Sequence, residues 1–206
     1  MDFRRTLRFV SIFLALVFVV PTTVVWAGDV LAPISIYDEG DLVKISIEDV
    51  GKYHGDVCTC VAIGYRAIKT AINQLWANET PKRGDFKVIT AHPGKGSQDC
   101  FEFVTRVRTR KKGKDFMLKM PAGTGRAKFT KDNFVFTFVR KSTGEQVTVR
   151  VKEKIIPKEF YMLRKKVKFD LTATPEEKKK FKAVKKEFKN KFLTLPSDEL
   201  FEIKKS

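Results

Sequence analysis

Soft metal-ligating and redox-active side chains are scarce in this sequence. It contains two histidines and three cysteines, and none of them lies before His54 or after Cys100. The Cys-x-x-Cys-His of a c-type haem site is absent, as are the Cys-x-x-Cys of a thioredoxin and the two Cys pairs of a structural zinc module. The absences exclude c-type haem attachment and disfavour the other two classes. The five residues that remain occupy one quarter of the chain, which predicts a single site.

Acidic residues are few relative to basic ones. The chain has 41 Lys and Arg against 24 Asp and Glu, a formal net charge of +17. This excess predicts affinity for acidic partners or anionic surfaces, but it says little about the fold. Hydrophobic residues make up 43% of the 206 residues and 18 of them are Phe, so the chain can bury the core of one domain with an appendage.

The N-terminus has the pattern of a secretory signal peptide. A basic stretch precedes the mainly apolar residues 9–20, and a short polar segment then ends at the small residue Ala27. We predict a signal peptide over residues 1–27 and an exported, periplasmic protein with a mature charge of about +15. A membrane anchor is the less favoured alternative, because a span needs roughly 20 apolar residues. In that compartment we expect no nucleic-acid partner.

The spacing of apolar residues predicts an α+β fold, in which N-terminal helices pack on a mainly antiparallel sheet. Residues 57–75 repeat at three- and four-residue steps, as in a core-facing helix with Arg66 on its wetter side. A strand then leads to His92, and a second helix is predicted with Cys100 in its first turn. Residues 114–152 alternate apolar and polar positions and predict a β-meander with a hairpin turn.

The C-terminal region is predicted to be an amphipathic helix. Thr174 is its N-cap, Pro175 occupies the first helical position and Glu177 completes a capping box. One narrow apolar seam runs among its lysines: Phe181, Val184, Phe188 and Phe192. We therefore divide the mature chain into an α+β core over residues 28–155 and a basic helical extension over residues 156–206.

The clustered residues are candidate metal ligands. Zn²⁺ takes thiolate, neutral imidazole and carboxylate donors, and the candidates are His54, Asp56, Cys58, Cys60, His92 and Cys100. Without a second Cys pair, the composition favours an open site with about three protein ligands and an exchangeable position. Both Cys58 and Cys60 reach one point only if a non-helical turn separates them. A disulfide such as Cys58 to Cys100, or simply buried free thiols, is the structural alternative.

The segment "YHGDVCTCVAIGYRAI" resembles the motif of the FmdE family of formylmethanofuran dehydrogenase components, in which His-Gly-His-x-Cys-Pro-Gly leads into a Gly-Tyr-Arg helix. The matching residues are His54, Gly55, Cys58, Gly64, Tyr65 and Arg66. Cys100 takes the place of the cysteine in the second block of the family. The likeness covers about residues 49–152. It implies an α+β core, a homodimer, and a metal or cavity site at His54, Cys58 and Cys100.

The sequence also departs from that family. Asp56 stands in place of the second histidine of the motif, and Thr59-Cys60 stands where Pro-Gly is expected. No cysteine follows Cys100, so the C-terminal treble-clef zinc finger of some members is missing. The family name implies an accessory role beside a cytoplasmic molybdenum or tungsten enzyme. An exported chain would not meet that enzyme, so the resemblance supports fold and metal more than pathway.

Three functional hypotheses follow from the sequence. The first is an exported metal-binding protein, with zinc as the expected ion, an accessory or sensory role and an unidentified small-molecule ligand or partner. The second is a thiol-redox module that uses Cys58 and Cys60 with a redox enzyme as partner. The third is a basic module that binds an anionic membrane or cell-wall polymer. Its basic runs are Arg106, Arg108, Arg110, Lys111, Lys112 and Lys114, and Lys178 to Lys180 with Lys185 and Lys186.

Overall fold

The computed structural model of the protein describes residues 31–206, so the predicted signal peptide lies outside the described residues. The first half contains the strands β1 (Ile34–Asp38), β2 (Asp41–Ile45) and β3 (Phe86–Thr90), and the helices α1 (Ile47–His54), α2 (Thr59–Leu75) and α3 (Lys95–Thr105). The second half contains β4 (Phe116–Leu118), β5 (Val135–Arg140), β6 (Gln146–Val151), α4 (Phe160–Lys165), α5 (Pro175–Thr194), α6 (Ser197–Leu200) and β7 (Phe201–Lys205).

The larger sheet has five strands in the order β4-β3-β5-β6-β7. Only β3 and β4 run parallel within it, and the other neighbours are antiparallel. Helix α2 packs on β5 and β6 and is flanked by α3 and α5. Strands β1 and β2 form a separate hairpin. The prediction of an α+β fold with helices on a mainly antiparallel sheet and a C-terminal amphipathic helix is therefore confirmed.

Phenylalanine fills the layer between the sheet and the helices. Phe136 and Phe138 point inward from β5 and meet Phe101 of α3 edge to face, with ring centroids 5.7 and 5.4 Å apart. Such T-shaped pairs add to the free energy gained by burying the rings. The apolar seam of α5 is buried in the same layer, as its spacing predicts. The capping box is also confirmed, because the Thr174 hydroxyl and the Glu177 carboxylate each accept from the backbone of the other.

Two residues of the Gly-Tyr-Arg segment fix α2 against its neighbours. Gly64 allows α3 to approach closely, since a Cβ at that position would lie 2.9 Å from the Cα of Ser97. The Tyr65 hydroxyl is buried and donates a 2.9 Å hydrogen bond to the carbonyl of Ile45, at the end of β2. This part of the segment therefore serves helix packing.

The third residue, Arg66, caps the end of α5. Its guanidinium donates to the carbonyls of Phe192 and Leu195, both at 2.8 Å, and to the Ser197 hydroxyl at 3.1 Å. The prediction that Arg66 lies on the wetter side of the helix is wrong, because the side chain is 2% exposed. Burial lowers its pKa to about 10. The free carbonyls at the end of α5 explain why an arginine is stable there.

The structure differs from the sequence prediction in three further places. Helix α3 begins at Lys95, with Gly94 as its N-cap, so Cys100 lies in the second turn rather than the first. Residues 126–130, expected to extend the meander, form no strand. Strand β7 is absent from the prediction; it follows α6 and pairs with β6 at the edge of the sheet. None of the helices in residues 31–206 has the length and apolar character needed to cross a membrane.

Candidate functional site: a cavity beside Cys58

The two neighbouring cysteines lie where α1 gives way to α2. Helix α1 ends at His54, and Gly55 follows with a φ of +105°, a left-handed conformation that favours glycine. Cys58 is the N-cap of α2 and keeps an extended backbone, whereas Cys60 belongs to the first turn of the helix. This is the non-helical turn that the sequence requires, and it allows the two sulfur atoms to meet.

Cys58 is held as a thiolate by its neighbours. The Cys60 thiol and the backbone N–H groups of Val61 and Cys60 lie near its sulfur and stabilise the negative charge on it. These contacts, with the nearby charge of His54, lower the pKa of Cys58 to about 5. The pKa of Cys60 is raised, because its proton is held by the Cys58 sulfur and its own thiolate would be buried beside another. Free amides at a helix start favour a thiolate in this way.

His54 is oriented by a carboxylate. Its Nδ1 lies 2.8 Å from the Asp99 carboxylate, which is also paired with Arg108 at 3.1 Å. Burial alone would lower the pKa of His54, but the hydrogen bonds and charges of Asp99 and Cys58 raise it overall. In the neutral form, a proton on Nδ1 leaves the lone pair of Nε2 for a metal, the arrangement commonly found behind metal-ligating histidines; in the charged form, Nε2 carries the second proton.

His92 lies at the same cavity in an apolar environment. It follows β3, as predicted, and is 1% exposed. The rings of Phe129 and Phe134 have centroids 5.2 Å from the imidazole, and Nδ1 lies 2.7 Å from the Ser97 hydroxyl. Burial lowers the pKa of His92 to about 3, so the ring is neutral at ordinary pH. A neutral imidazole can accept a proton or bind a metal.

A glycine loop runs directly over the sulfur atoms. A Cβ at Gly94 would lie 2.4 Å from Cε1 of His92 and 2.9 Å from the Cys60 sulfur. A Cβ at Gly96 would lie 2.9 Å from the Cys58 sulfur. Both distances to sulfur are too short for a real side chain, so the loop that begins α3 must be glycine-rich to bring His92 beside the cysteines.

The other two predicted ligands lie elsewhere. Cys100 is fully buried where α3 packs on α2, and a Cβ added at Gly64 would lie 3.2 Å from its Cβ. It does not line the cavity. Burial raises its pKa strongly, so it is a neutral thiol. Asp56 is exposed in the turn; its carbonyl accepts from the Cys58 N–H at 2.9 Å. The structure brings together His54, Cys58, Cys60 and His92, and it leaves Cys100 and Asp56 outside.

The cavity beside these four residues has a volume of about 540 Å³. Its apolar wall comes from the second half of the chain: Phe129, Phe134, Phe160, Phe169 and Phe181. Five cations also line it: Lys95, Arg126, Arg164, Lys168 and Lys185. Within the described residues, no Asp or Glu lines this cavity. Its size is typical of sites for small molecules.

A larger depression of about 800 Å³ lies on another face, beside Trp76 and Arg140. It contains neither cysteine nor histidine. Arg140, one of its lining residues, is already paired, since it donates to Glu79 at 2.7 Å and lies 3.7 Å from Asp85. We therefore regard the smaller cavity at Cys58 as the functional site.

The cavity offers donor atoms of the kind that a soft metal ion prefers, but they do not form a complete coordination shell. Cys58 and Cys60 place two thiol donors side by side, and His54 interacts with Cys58. In residues 31–206, however, no group of three or more His, Cys, Asp or Glu side chains is arranged to hold a metal ion. A closed structural zinc site, which needs four ligands, does not fit the described residues.

Sequence reasoning misses the far side of the cavity. Arg164 and Phe129 come from segments that follow Cys58 and Cys60 by more than sixty residues, and neither belongs to a recognisable motif. The sequence places Lys185 in a basic run, yet it lines the cavity. The usable signal is the periodicity of α5, which puts Lys185 four residues after the buried Phe181.

Comparison with known proteins gives one family and one solved structure to report. The family model described as FmdE, molybdenum formylmethanofuran dehydrogenase operon, matches residues 53–202, more than half of the chain. A tungsten formylmethanofuran dehydrogenase FmdE-like protein from Syntrophus aciditrophicus is 16% identical. The alignment covers 78% of this chain and 69% of that chain, with a TM-score of 0.42. No functionally curated protein matches.

Proposed function

This chain belongs to the FmdE family, and we propose that it is an exported accessory or sensory member that binds a soft metal ion at the sulfur pair of Cys58 and Cys60. Zinc is the ion we expect. The observation that carries the proposal is the contact between the two sulfur atoms at the start of α2, with Cys58 held as a thiolate. A thiolate is the form of cysteine that ligates metal.

The surroundings of the sulfur pair support an exchangeable site. His54 is oriented by Asp99 and interacts with Cys58, which makes it a candidate for a third donor. His92 is neutral and faces the same cavity. Because the donors do not form a complete cage, the affinity should be that of a sensor or carrier rather than of a folding cofactor. When bound, zinc would supply a Lewis acid; the protein would orient it through His54 and exclude water with the phenylalanine wall.

Metal content of the mature protein tests this proposal. The purified chain, made metal-free and then supplied with Zn²⁺, should hold about one equivalent by elemental analysis. Co²⁺ in place of zinc should give the absorption of a thiolate ligand. Cys58→Ala and Cys60→Ala should each remove both signals.

The matched control is Cys100→Ala, which removes the third cysteine without touching the cavity. It should keep its metal. Retention of zinc by Cys58→Ala, or equal loss in all three variants, would rule out the sulfur pair as the site.

A thiol-redox function is the second candidate, and the opposite pKa shifts of the two cysteines favour it. The Cys58 thiolate would attack a disulfide R–S–S–R, forming a mixed disulfide and releasing RS⁻. Cys60 would then lose its proton and attack the Cys58 sulfur, which releases the second RS⁻ and closes a Cys58–Cys60 disulfide. The substrate gains two electrons, and the cysteine pair loses two.

Cys60→Ser separates this candidate from the metal site. In a redox module, that variant should accumulate the mixed disulfide on Cys58, visible by mass spectrometry, because the second attack cannot occur. The wild-type protein should instead form the internal disulfide. A wild-type chain that keeps both thiols after exposure to a small disulfide is not a redox module of this kind.

Export and assembly belong to the same proposal. We propose that residues 1–27 direct the chain to the periplasm and that the mature protein forms a homodimer. The N-terminal sequence of the mature protein and its mass in solution by light scattering test these two points. Contact of the exposed lysines of α5 with anionic membrane or cell wall is a weaker alternative that the charge of +17 favours.

A further inference from the structure

No carboxylate among residues 31–206 pairs with the cations that line the Cys58 cavity, where the Cys58 thiolate is the one anionic group of the protein. Arg164 and Lys185 are its half-buried cations, and Lys95, Arg126 and Lys168 are the others that line it. None of these five forms a salt bridge with a carboxylate among residues 31–206. Arg164 instead donates to the carbonyl of Arg126. Burial lowers the pKa of Arg164, as expected of a guanidinium removed from water, and the interaction with Cys60 opposes this shift without cancelling it.

Aromatic rings position these cations. The Arg164 guanidinium lies over Phe129 at 4.4 Å and over Phe169 at 4.9 Å. The Lys185 ammonium lies 5.5 Å from the centre of the Phe181 ring. Cation–π contacts of this kind hold a charge in place but do not neutralise it. Arg164 and Lys185 are thus fixed at the cavity beside apolar surface.

We propose that this cavity binds a small organic anion with a flat apolar body, through a carboxylate, sulfonate or phosphate group held by Arg164 and Lys185. The anionic group would take the place of the carboxylate partner that Arg164 and Lys185 lack, and the flat body would lie against Phe129, Phe134 and Phe169. The charge-assisted hydrogen bonds of such a ligand would offset the free energy lost when the cations are removed from water, and its body would bury apolar surface. The proposal shares the cavity of the proposed metal site but does not require a metal.

Two probes that differ only in charge test the proposal on the metal-free, reduced protein. Naphthalene-1-sulfonate carries the anion on a flat body, and naphthalene-1-sulfonamide is its neutral analogue. Calorimetric titration should give one sulfonate per chain, bound about tenfold or more tightly than the sulfonamide. Inorganic sulfate, an anion without the flat body, should bind more weakly than naphthalene-1-sulfonate.

Four variants assign the contacts. Arg164→Met and Lys185→Met should each weaken the sulfonate by about tenfold and leave the sulfonamide almost unchanged. Phe169→Ala should weaken both probes. The control is Lys182→Met, which removes one exposed charge from the same helix as Lys185 but lies outside the cavity lining. It should bind both probes as the wild type does.

Three results would overturn the proposal: equal affinity for sulfonate and sulfonamide, equal affinity for naphthalene-1-sulfonate and sulfate, or an equal loss in Lys182→Met and Lys185→Met. The last would mean that the overall positive charge, not the cavity, attracts the anion. Because zinc is absent from the titration, failure here leaves the metal proposal standing, and failure to find zinc leaves this one standing.

Discussion

The protein holds two groups of basic side chains in opposite ways. At the β1–β2 hairpin, Asp38 accepts from Arg83 at 2.5 Å and lies 3.1 Å from both Arg106 and Arg110. At the cavity, Arg164 and Lys185 face aromatic rings and a cysteine pair, with no carboxylate partner among the described residues. We call these the Asp38 cluster and the cavity cations.

The difference shows what a basic run in a sequence does and does not indicate. In the run from Arg106 to Lys114, two arginines converge on Asp38 and Arg108 pairs with Asp99. In the run on α5, Lys180 pairs with Glu159, whereas Lys185 lines the cavity. A cation that is paired with a carboxylate already has its counter-charge within the fold, whereas an unpaired cation beside a cavity is available to a ligand.

The largest expected effect is in the Asp38 cluster. Asp38→Asn should lower the free energy of unfolding by about 3 kcal/mol, because it leaves partly buried arginines without a counter-charge. Urea unfolding measures the change. Asp132→Asn, which breaks only the exposed pair with Arg150, is the control and should cost under about 0.5 kcal/mol.

The same variant has a pH signature. Burial alone would raise the pKa of Asp38, but the hydrogen bond of Arg83 and the charges of Arg83, Arg106 and Arg110 leave it below its usual 3.8. Its contribution to stability is therefore present above the pKa of the unfolded chain and is lost as the pH falls through the lower, folded value. The gap between wild type and Asp38→Asn should shrink below about pH 4; a gap independent of pH would exclude the charge explanation.

The next effect concerns the one anion expected at the cavity, the Cys58 thiolate. With a pKa of about 5, its alkylation by iodoacetamide should change less than about twofold between about pH 6.5 and 8.5, and it should fall below about pH 5. The same cysteine in the denatured chain should gain about 50-fold over that range, since an ordinary thiol ionises near pH 8.5. Peptide mass spectrometry follows the site.

Cys60→Ala sharpens this result, because the Cys60 thiol makes the largest contribution to lowering the pKa of Cys58. The pH profile of that variant should move to higher pH, and that of Arg164→Met should move less. A larger shift in Arg164→Met than in Cys60→Ala would show that the cavity cations, and not the Cys60 thiol, are the main cause of the low pKa of Cys58.

A smaller effect distinguishes charged from neutral reagents at Cys58. The ratio of the iodoacetate to the iodoacetamide rate should be about tenfold higher in the folded protein than in the denatured chain, since the cavity cations attract the anionic reagent. Arg164→Met and Lys185→Met should lower the ratio, and Lys182→Met should not. An unchanged ratio on unfolding would show that these cations do not act on an anion near the sulfur.

The smallest expected effect is on stability at the cavity. Arg164→Met should change the free energy of unfolding by no more than about 1 kcal/mol, because removing an unpaired, half-buried charge offsets the lost contacts with Phe129 and Phe169. Thermal or urea unfolding without ligand measures it. If Arg164→Met lowered the free energy of unfolding as much as Asp38→Asn does, Arg164 would be a structural residue. The distinction between the Asp38 cluster and the cavity cations would then be wrong.

The sequence predicts those parts of the fold that depend on local pattern. Helix α2 and the buried seam of α5 follow from apolar spacing, and the start of α5 follows from its capping box. The meeting of His54, Cys58 and Cys60 is predictable because all three lie within seven residues, with a glycine and a turn between them. His92 is expected at the end of a strand, which is close to its observed position.

The parts that the sequence does not predict depend on contacts between distant segments. Strand β7 has only five residues, and its pairing with β6 cannot be inferred from local spacing. Helix α3 starts after Gly94, which offers no capping side chain, so the prediction places its first turn too late. The apolar spacing of α2 places Arg66 on the exposed face, and this prediction fails because the side chain is buried against carbonyl groups on a segment far along the chain.

The cap that Arg66 places on α5 has a consequence for selectivity. Arg66 lies on the helix that begins at the cysteines, and it grips the end of the helix that carries Phe181 and Lys185. The two helices that contribute to the cavity are therefore tied together at the end of α5, and moving α5 as a whole away from α2 would break these hydrogen bonds. We therefore expect the cavity to exclude ligands that are too large for its present width. Arg66 would then limit ligand size although it does not contact the ligand.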